Sequence, residues 1–147
     1  MSTYWQQVAI EDLKSYNYRK QSLDGMGEEV AALKSAATSI SAIRIDSAPS
    51  ASQSTCRDDV IVNNIVRRDE LMQTMLQTSV RCSRIENALR ELDSKERMIL
   101  TALFVAPQKG AVEYLCRELN YDKATVYRYR TKALRNFTLL MYGRAES

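Results

Sequence analysis

Apolar residues in the first third of the chain recur with a helical beat. Leu23, Met26, Val30, Leu33, Ala37 and Ile40 are separated by steps of 3, 4, 3, 4 and 3. That spacing keeps side chains on one seam of a helix and predicts helix over the first 43 residues. Run backwards, the same phase meets Tyr16, Ala9 and Trp5 but also Arg19 and Asp12, so the seam weakens there. Gly25 and Gly27, in "DGMG", each cost a helix about 1 kcal/mol relative to Ala and predict a kink or break.

"RIDSAPSASQST" (44–55) is a Ser/Ala stretch with a proline. It predicts a loop over about 44–57, with Asp58 capping a second helix over roughly 58–92. Leu71, Met75, Cys82, Ile85, Leu89 and Leu92 form its seam, with Thr78 the polar member. Met72 and Met75 are expected as packing filler. Each helix alone leaves an apolar stripe in water. The two must fold back as an antiparallel hairpin, pair with a second chain, or do both.

The last third changes character. In "LDSKERMILTALFVA" the N-cap is Asp93 or Ser94, with Glu96 or Arg97 following; Asp93 to Glu96 has the spacing of a capping box, and Ile99, Leu100, Leu103 and Phe104 share one helical face. "PQKG" (107–110) ends that helix, "AVEYLCRELN" (111–120) predicts a short one, and Asn120-Tyr121 makes a turn. "YDKATVYRYRT" (121–131) has the alternation of a strand, but a strand would be isolated among helices. As a helix capped by Asp122 it puts Val126, Tyr129, Ala133, Phe137 and Leu140 on a buried face. Tyr127, Arg128, Thr131 and Lys132 then fall opposite, with Lys123, Ala124 and Thr125 at the exposed start. The fold class predicted is all-α: a long N-terminal helical hairpin or coiled coil (1–92), then a small three-helix helix-turn-helix domain (93–147).

Composition narrows the chemistry. Hydrophobic residues make up 45% and charged ones 27% of 147 residues, a balance that fits a folded domain rather than a disordered chain. No apolar run is long enough to span a bilayer, and "MSTYWQQVAIEDLK" lacks the pattern of a signal peptide, so a cytoplasmic protein with no membrane partner is expected. Cys56, Cys82 and Cys116 lie in no metal spacing and there is no histidine, so neither a zinc site nor a catalytic histidine is expected. No glycine pattern makes a phosphate loop. The expectation is no enzyme, no cofactor and no metal. Residues 1–92 carry 11 Lys/Arg against 12 Asp/Glu, whereas residues 93–147 carry 10 against 6. Lys123, Arg128, Arg130, Lys132 and Arg135 oppose one acid, Asp122, within fourteen residues, the footprint of either a nucleic-acid reader or a solvated helix face.

The segment "LDSKERMILTALF…GAVEYLCRELNYDKATVYRYRTKALRNF" resembles region four of bacterial sigma factors, which reads promoter DNA. The matching residues are Leu92, Glu96-Arg97, Glu113, Leu115, Leu119, Asp122, Val126 and Lys132-Ala133-Leu134-Arg135. Joined to a helical N-terminal region, with "CRDDVIVNNIVRRDEL" at the start of the second helix, it is similar to phage and prophage regulators of the RinA/ArpU type. The resemblance implies a transcriptional regulator, an activator of late genes, that binds the major groove of double-stranded DNA as a homodimer or higher homo-oligomer. Host RNA polymerase is a further partner it implies. A small-terminase-like packaging protein, or a polymerase-binding module that does not read DNA, are the rival readings.

By position in that motif Lys123, Ala124, Thr125, Tyr127 and Arg128 face DNA. Arg128 is the candidate to bridge guanine O6 and N7, worth ~1–3 kcal/mol of discrimination, or else to hold a phosphate. Lys123 and Thr125 position the helix on phosphates. Tyr127 packs on a thymine methyl or bonds a phosphate. Thr131 shares the exposed side, Arg130, Lys132 and Arg135 are phosphate clamps or solvated charges, and Lys109 touches backbone from its loop. Ala124 and Tyr127 depart from the sigma pattern, so a standard promoter preference is not carried over. Tyr129 and Phe137 are expected in the core.

Overall fold

The computed structural model describes the backbone of residues 3–46 and 51–146, and the side chains of 3–40 and 56–146. Every element is helical: α1 (Tyr4–Asp46), α2 (Ala51–Glu91), α3 (Ser94–Leu100) continued by a π-helical turn (Thr101–Val105), α4 (Ala111–Leu119) and α5 (Lys123–Tyr142). No strand occurs among the described residues, and no helix is long and apolar enough to cross a membrane.

Two expectations are corrected. The helix runs through Gly25 and Gly27 without a break; about 1 kcal/mol each does not outweigh the packing of a 43-residue helix. Open space surrounds Gly25, and a Cβ on Gly27 would meet Met75 Cε at 3.8 Å, so neither glycine is demanded by close approach. The predicted loop at 44–57 is helical at 44–46 and again at 51–57, and Asp58 lies inside α2 rather than at its cap. Its Ala and Ser residues do not stop a helix; residues 47–50 lie outside the described residues.

The chain forms two compact units, residues 1–20 with 80–147, and residues 21–79. In the second unit, α1 and α2 close on each other within one chain. Val30 and Leu71 are buried, and Leu33, Ala37, Ile40, Met75 and Thr78 are half-buried. Asn64 Nδ2 donates to the Leu33 carbonyl at 2.8 Å, and Arg67 pairs with Glu29 at 3.0 Å. Met72, expected as filler, is instead half exposed.

In the first unit the start of α1 and the end of α2 pack with the three short helices. Ala9, Leu13, Ile85, Ala88, Leu92, Leu100, Phe104, Ala133, Leu134, Phe137 and Met141 make its main core. Ile99, Leu115 and Val126 make a smaller one, and Leu103 packs against both. The π turn lies where these cores divide: Ala106 N–H donates to the Thr101 carbonyl at 2.8 Å. Ile99 serves the smaller core while Leu100 and Phe104 serve the main one. Asp93 caps α3, accepting from Glu96 N–H at 2.7 Å. Arg97 turns back to donate to the carbonyls of Leu89, Arg90 and Leu92, satisfying the last turn of α2.

Candidate nucleic-acid interface

The turn before α5 is built from a left-handed residue and a cap. Asn120 has φ 57°, a conformation that Asn tolerates better than most side chains, and it ends α4. Asp122 is extended and accepts from Thr125 N–H at 2.9 Å, starting α5 as expected. Hydrogen bonds from the Thr125 hydroxyl and then its amide hold the Asp122 carboxyl below its usual range.

Tyr121 and Tyr129 flank this turn. Their rings stack at 5.1 Å, and Lys95 Nζ donates to the Tyr121 hydroxyl at 2.8 Å. That contact lowers the Tyr121 phenol and raises the Lys95 ammonium. Tyr129 is therefore half-buried against the smaller core rather than fully inside it, because its stacking partner belongs to the surface turn.

One side of α5 is anchored. Val126, Ala133 and Phe137 are fully buried, as expected, and Leu134, Thr138 and Met141 join them. Leu140, expected on this face, is 48% exposed. The packed face drifts around the helix toward Met141, because α1 and α2 cover the end of α5 from a side that the local spacing does not reveal. Asn136 Nδ2 donates to Glu96 Oε2 at 2.9 Å, tying α5 to α3. Burial raises the Glu96 carboxyl above its usual range, and the Asn136 bond offsets only part of this.

The other side faces solvent. Ala124, Tyr127, Arg128, Thr131, Lys132 and Arg135 are all exposed there, with Lys123 at the tip and Thr125 half-buried behind the cap. Arg128 Nη2 donates to Thr125 Oγ1 at 3.2 Å, which steers the guanidinium toward the helix start. Thr131 donates its hydroxyl to the Tyr127 carbonyl at 3.1 Å. Lys123 lies 3.7 Å from Glu113, and Arg135 pairs with Glu146 at 3.1 Å. Such exposed pairs are worth ~0–1 kcal/mol and give way readily to a phosphate. Lys132 Nζ sits 5.8 Å from the Tyr129 ring centre.

Two predicted residues are placed elsewhere. Arg130 turns to the packed side, its guanidinium carbon 5.4 Å from the centre of the Phe104 ring. Its position in the helix, two residues past Arg128, sets it about 200° away from that side chain. Lys109 lines a groove of about 660 Å³ with Met98, Ala102, Tyr114 and Arg117, and no α5 residue borders it. Sequence reasoning missed Lys95, Tyr121 and Asn136. The paired tyrosines were a visible signal; the Asn136 partner, 40 residues away on α3, left none. Among the described residues no group of His, Cys, Asp and Glu gathers as metal ligands.

No family model, curated protein or solved structure matches the chain.

Proposed function

We propose that this protein is a sequence-specific double-stranded DNA-binding transcriptional regulator that inserts the start of α5 into a major groove. The observation that carries the reading is the division of α5. One side is locked by Val126, Ala133, Phe137 and Met141. The other leaves Arg128, Thr131, Lys132 and Arg135 exposed behind a slim tip of Lys123 and Ala124. A rigid helix with a narrow, basic leading end suits a groove about 12 Å wide, and its free N-terminal amides favour phosphate oxygens. Arg128 takes the base-reading role, Lys123, Lys132 and Arg135 take phosphates, and Thr125 positions Arg128. The resemblance to sigma region four and to RinA/ArpU-type regulators supports activation of phage or prophage late genes as the biological setting, in the cytoplasm of a bacterial host, with a homo-oligomer as the binding form. Arg130 has no part in the interface.

A second reading draws on the groove between α3 and α4. Met98, Ala102, Ala106, Ala111 and Tyr114 line it, with Lys109 and Arg117 also on its walls. An apolar trough with basic residues suits an acidic protein segment, as on an RNA polymerase partner. Reversing Lys123 and Arg128 to Glu separates the two. Loss of duplex binding supports the DNA reading; full retention of it contradicts the α5 interface and favours the groove.

A further inference from the structure

Residues 57–76 of α2 carry two faces whose polarity is exchanged over their first three turns. On the face turned to α1, the seam positions are Arg57, Ile61, Asn64 and Arg68 before Leu71 restores an apolar contact. Asn64 is only 8% exposed, its Oδ1 has no hydrogen-bond partner, and neither does Arg68 Nε. Further around the helix, Val62, Ile65, Val66, Met72 and Leu76 all face solvent, from 44% exposed at Ile65 to 66% at Leu76. Val and Ile are weaker helix formers than Ala, Leu, Lys or Glu, so helix formation does not call for them here. Burying unsatisfied amide and guanidinium groups while branched aliphatics stay in water is costly on both counts for an isolated chain.

We infer that this outer stripe of α2 docks against the same stripe of a second copy of the chain, the two α2 helices running antiparallel. Five side chains about half exposed offer roughly 450 Å² of apolar surface, the size of patch that is often functional on a monomer. With their polar neighbours they approach the roughly 800 Å² per partner of a standard specific interface. Asp69, which interrupts the stripe, fixes the direction. A parallel pair in register would set Asp69 against Asp69, whereas an antiparallel pair crossing near residue 67 sets it opposite Ile65 of the other copy. This deepens the oligomeric part of the function proposed above and stands whether or not the protein reads DNA.

Sedimentation equilibrium of the full chain at tens of micromolar tests it. The expected mass is about twice 16.8 kDa. Ile65→Glu with Leu76→Glu should return it to one chain with helical circular dichroism unchanged, while Tyr18→Glu, on the exposed side of α1, leaves the dimer intact. In a Cys56→Ser background, mixing V62C with M72C chains should give the mixed disulfide in preference to either homodimer. A monomeric wild type overturns the inference, as does an oligomer that survives the double substitution in folded protein. If the double variant does not fold, the cross-link decides, and absence of the 62–72 disulfide overturns the pairing. A dimer that binds no DNA would sink the regulator reading and leave this one standing.

Discussion

Arg81 donates two hydrogen bonds, from Nε at 3.0 Å and Nη2 at 2.6 Å, to one oxygen of Asp12, 69 residues away. The Tyr142 hydroxyl bonds the other oxygen. Asp12 is 1% exposed, so α1, α2 and the end of α5 meet at a buried carboxylate with both oxygens hydrogen-bonded.

Removing that carboxylate strands the guanidinium and the phenol. Asp12→Ala should destabilise the fold by about 2–3 kcal/mol, below the usual loss for a buried pair because Arg81 keeps some water. Asp12→Leu with Arg81→Met should recover most of it. Urea unfolding followed by the fluorescence of Trp5, 5.4 Å from the Tyr142 ring, measures both. Equal losses in the single and double variants would argue against a specific pair.

Asp12 also shows what periodicity could reveal. The heptad phase carried through Arg19 and Asp12, and both lie on the packed side of α1, Asp12 fully buried and Arg19 partly. Charge at those positions weakened the seam as a pattern, yet the partner that makes the burial tolerable sits on a different helix. The same limit applies to Leu140 and Arg130, whose neighbours come from outside α5. Local signals fared better: the Asp93 and Asp122 caps and the exposed side of α5 follow from residues within one turn. The two glycines and the Ser/Ala stretch misled, because weak breakers yield to tertiary packing.

Glu96 should make stability pH-dependent in a direction set by its burial. Its folded carboxyl is raised above 4.5, so the stability it contributes is complete below that value and is lost as pH rises through the folded one. Glu96→Gln keeps an acceptor for Asn136 and cannot ionise. The variant should therefore gain on wild type in thermal midpoint between pH 4.5 and pH 7. A difference independent of pH would mean that burial does not raise the Glu96 carboxyl.

Arg128 and Arg130 separate the two sides of α5. Arg130→Ala should cost about 0.5–1 kcal/mol of stability, through the Phe104 contact, and leave DNA affinity unchanged. Arg128→Ala should leave stability within about 0.5 kcal/mol and cost ~1–3 kcal/mol of binding to the preferred site. Parallel thermal melts and fluorescence anisotropy read both; an exchange of these outcomes would place the interface on the wrong side.

Four exposed cations, Lys123, Arg128, Lys132 and Arg135, line the solvent-facing side of α5. If each took a phosphate, the logarithm of affinity against the logarithm of salt would fall with a slope of about −3.6 per head; Arg128 on a base would bring it to about −2.7. Lys123→Ala or Arg135→Ala should each make the slope shallower by about 0.9, uniformly across DNA sequences. Titrations at four salt concentrations measure this, and a slope that neither substitution moves would remove those residues from the contact.

The most direct test of DNA reading is selection of binding sites from random duplexes by the 147-residue chain at two salt concentrations. One enriched motif is expected, persisting at the higher salt, repeated in symmetric half-sites and lost at a single base position in Arg128→Ala. Recovery of motif-free DNA, bound weakly and released by modest salt, would contradict it.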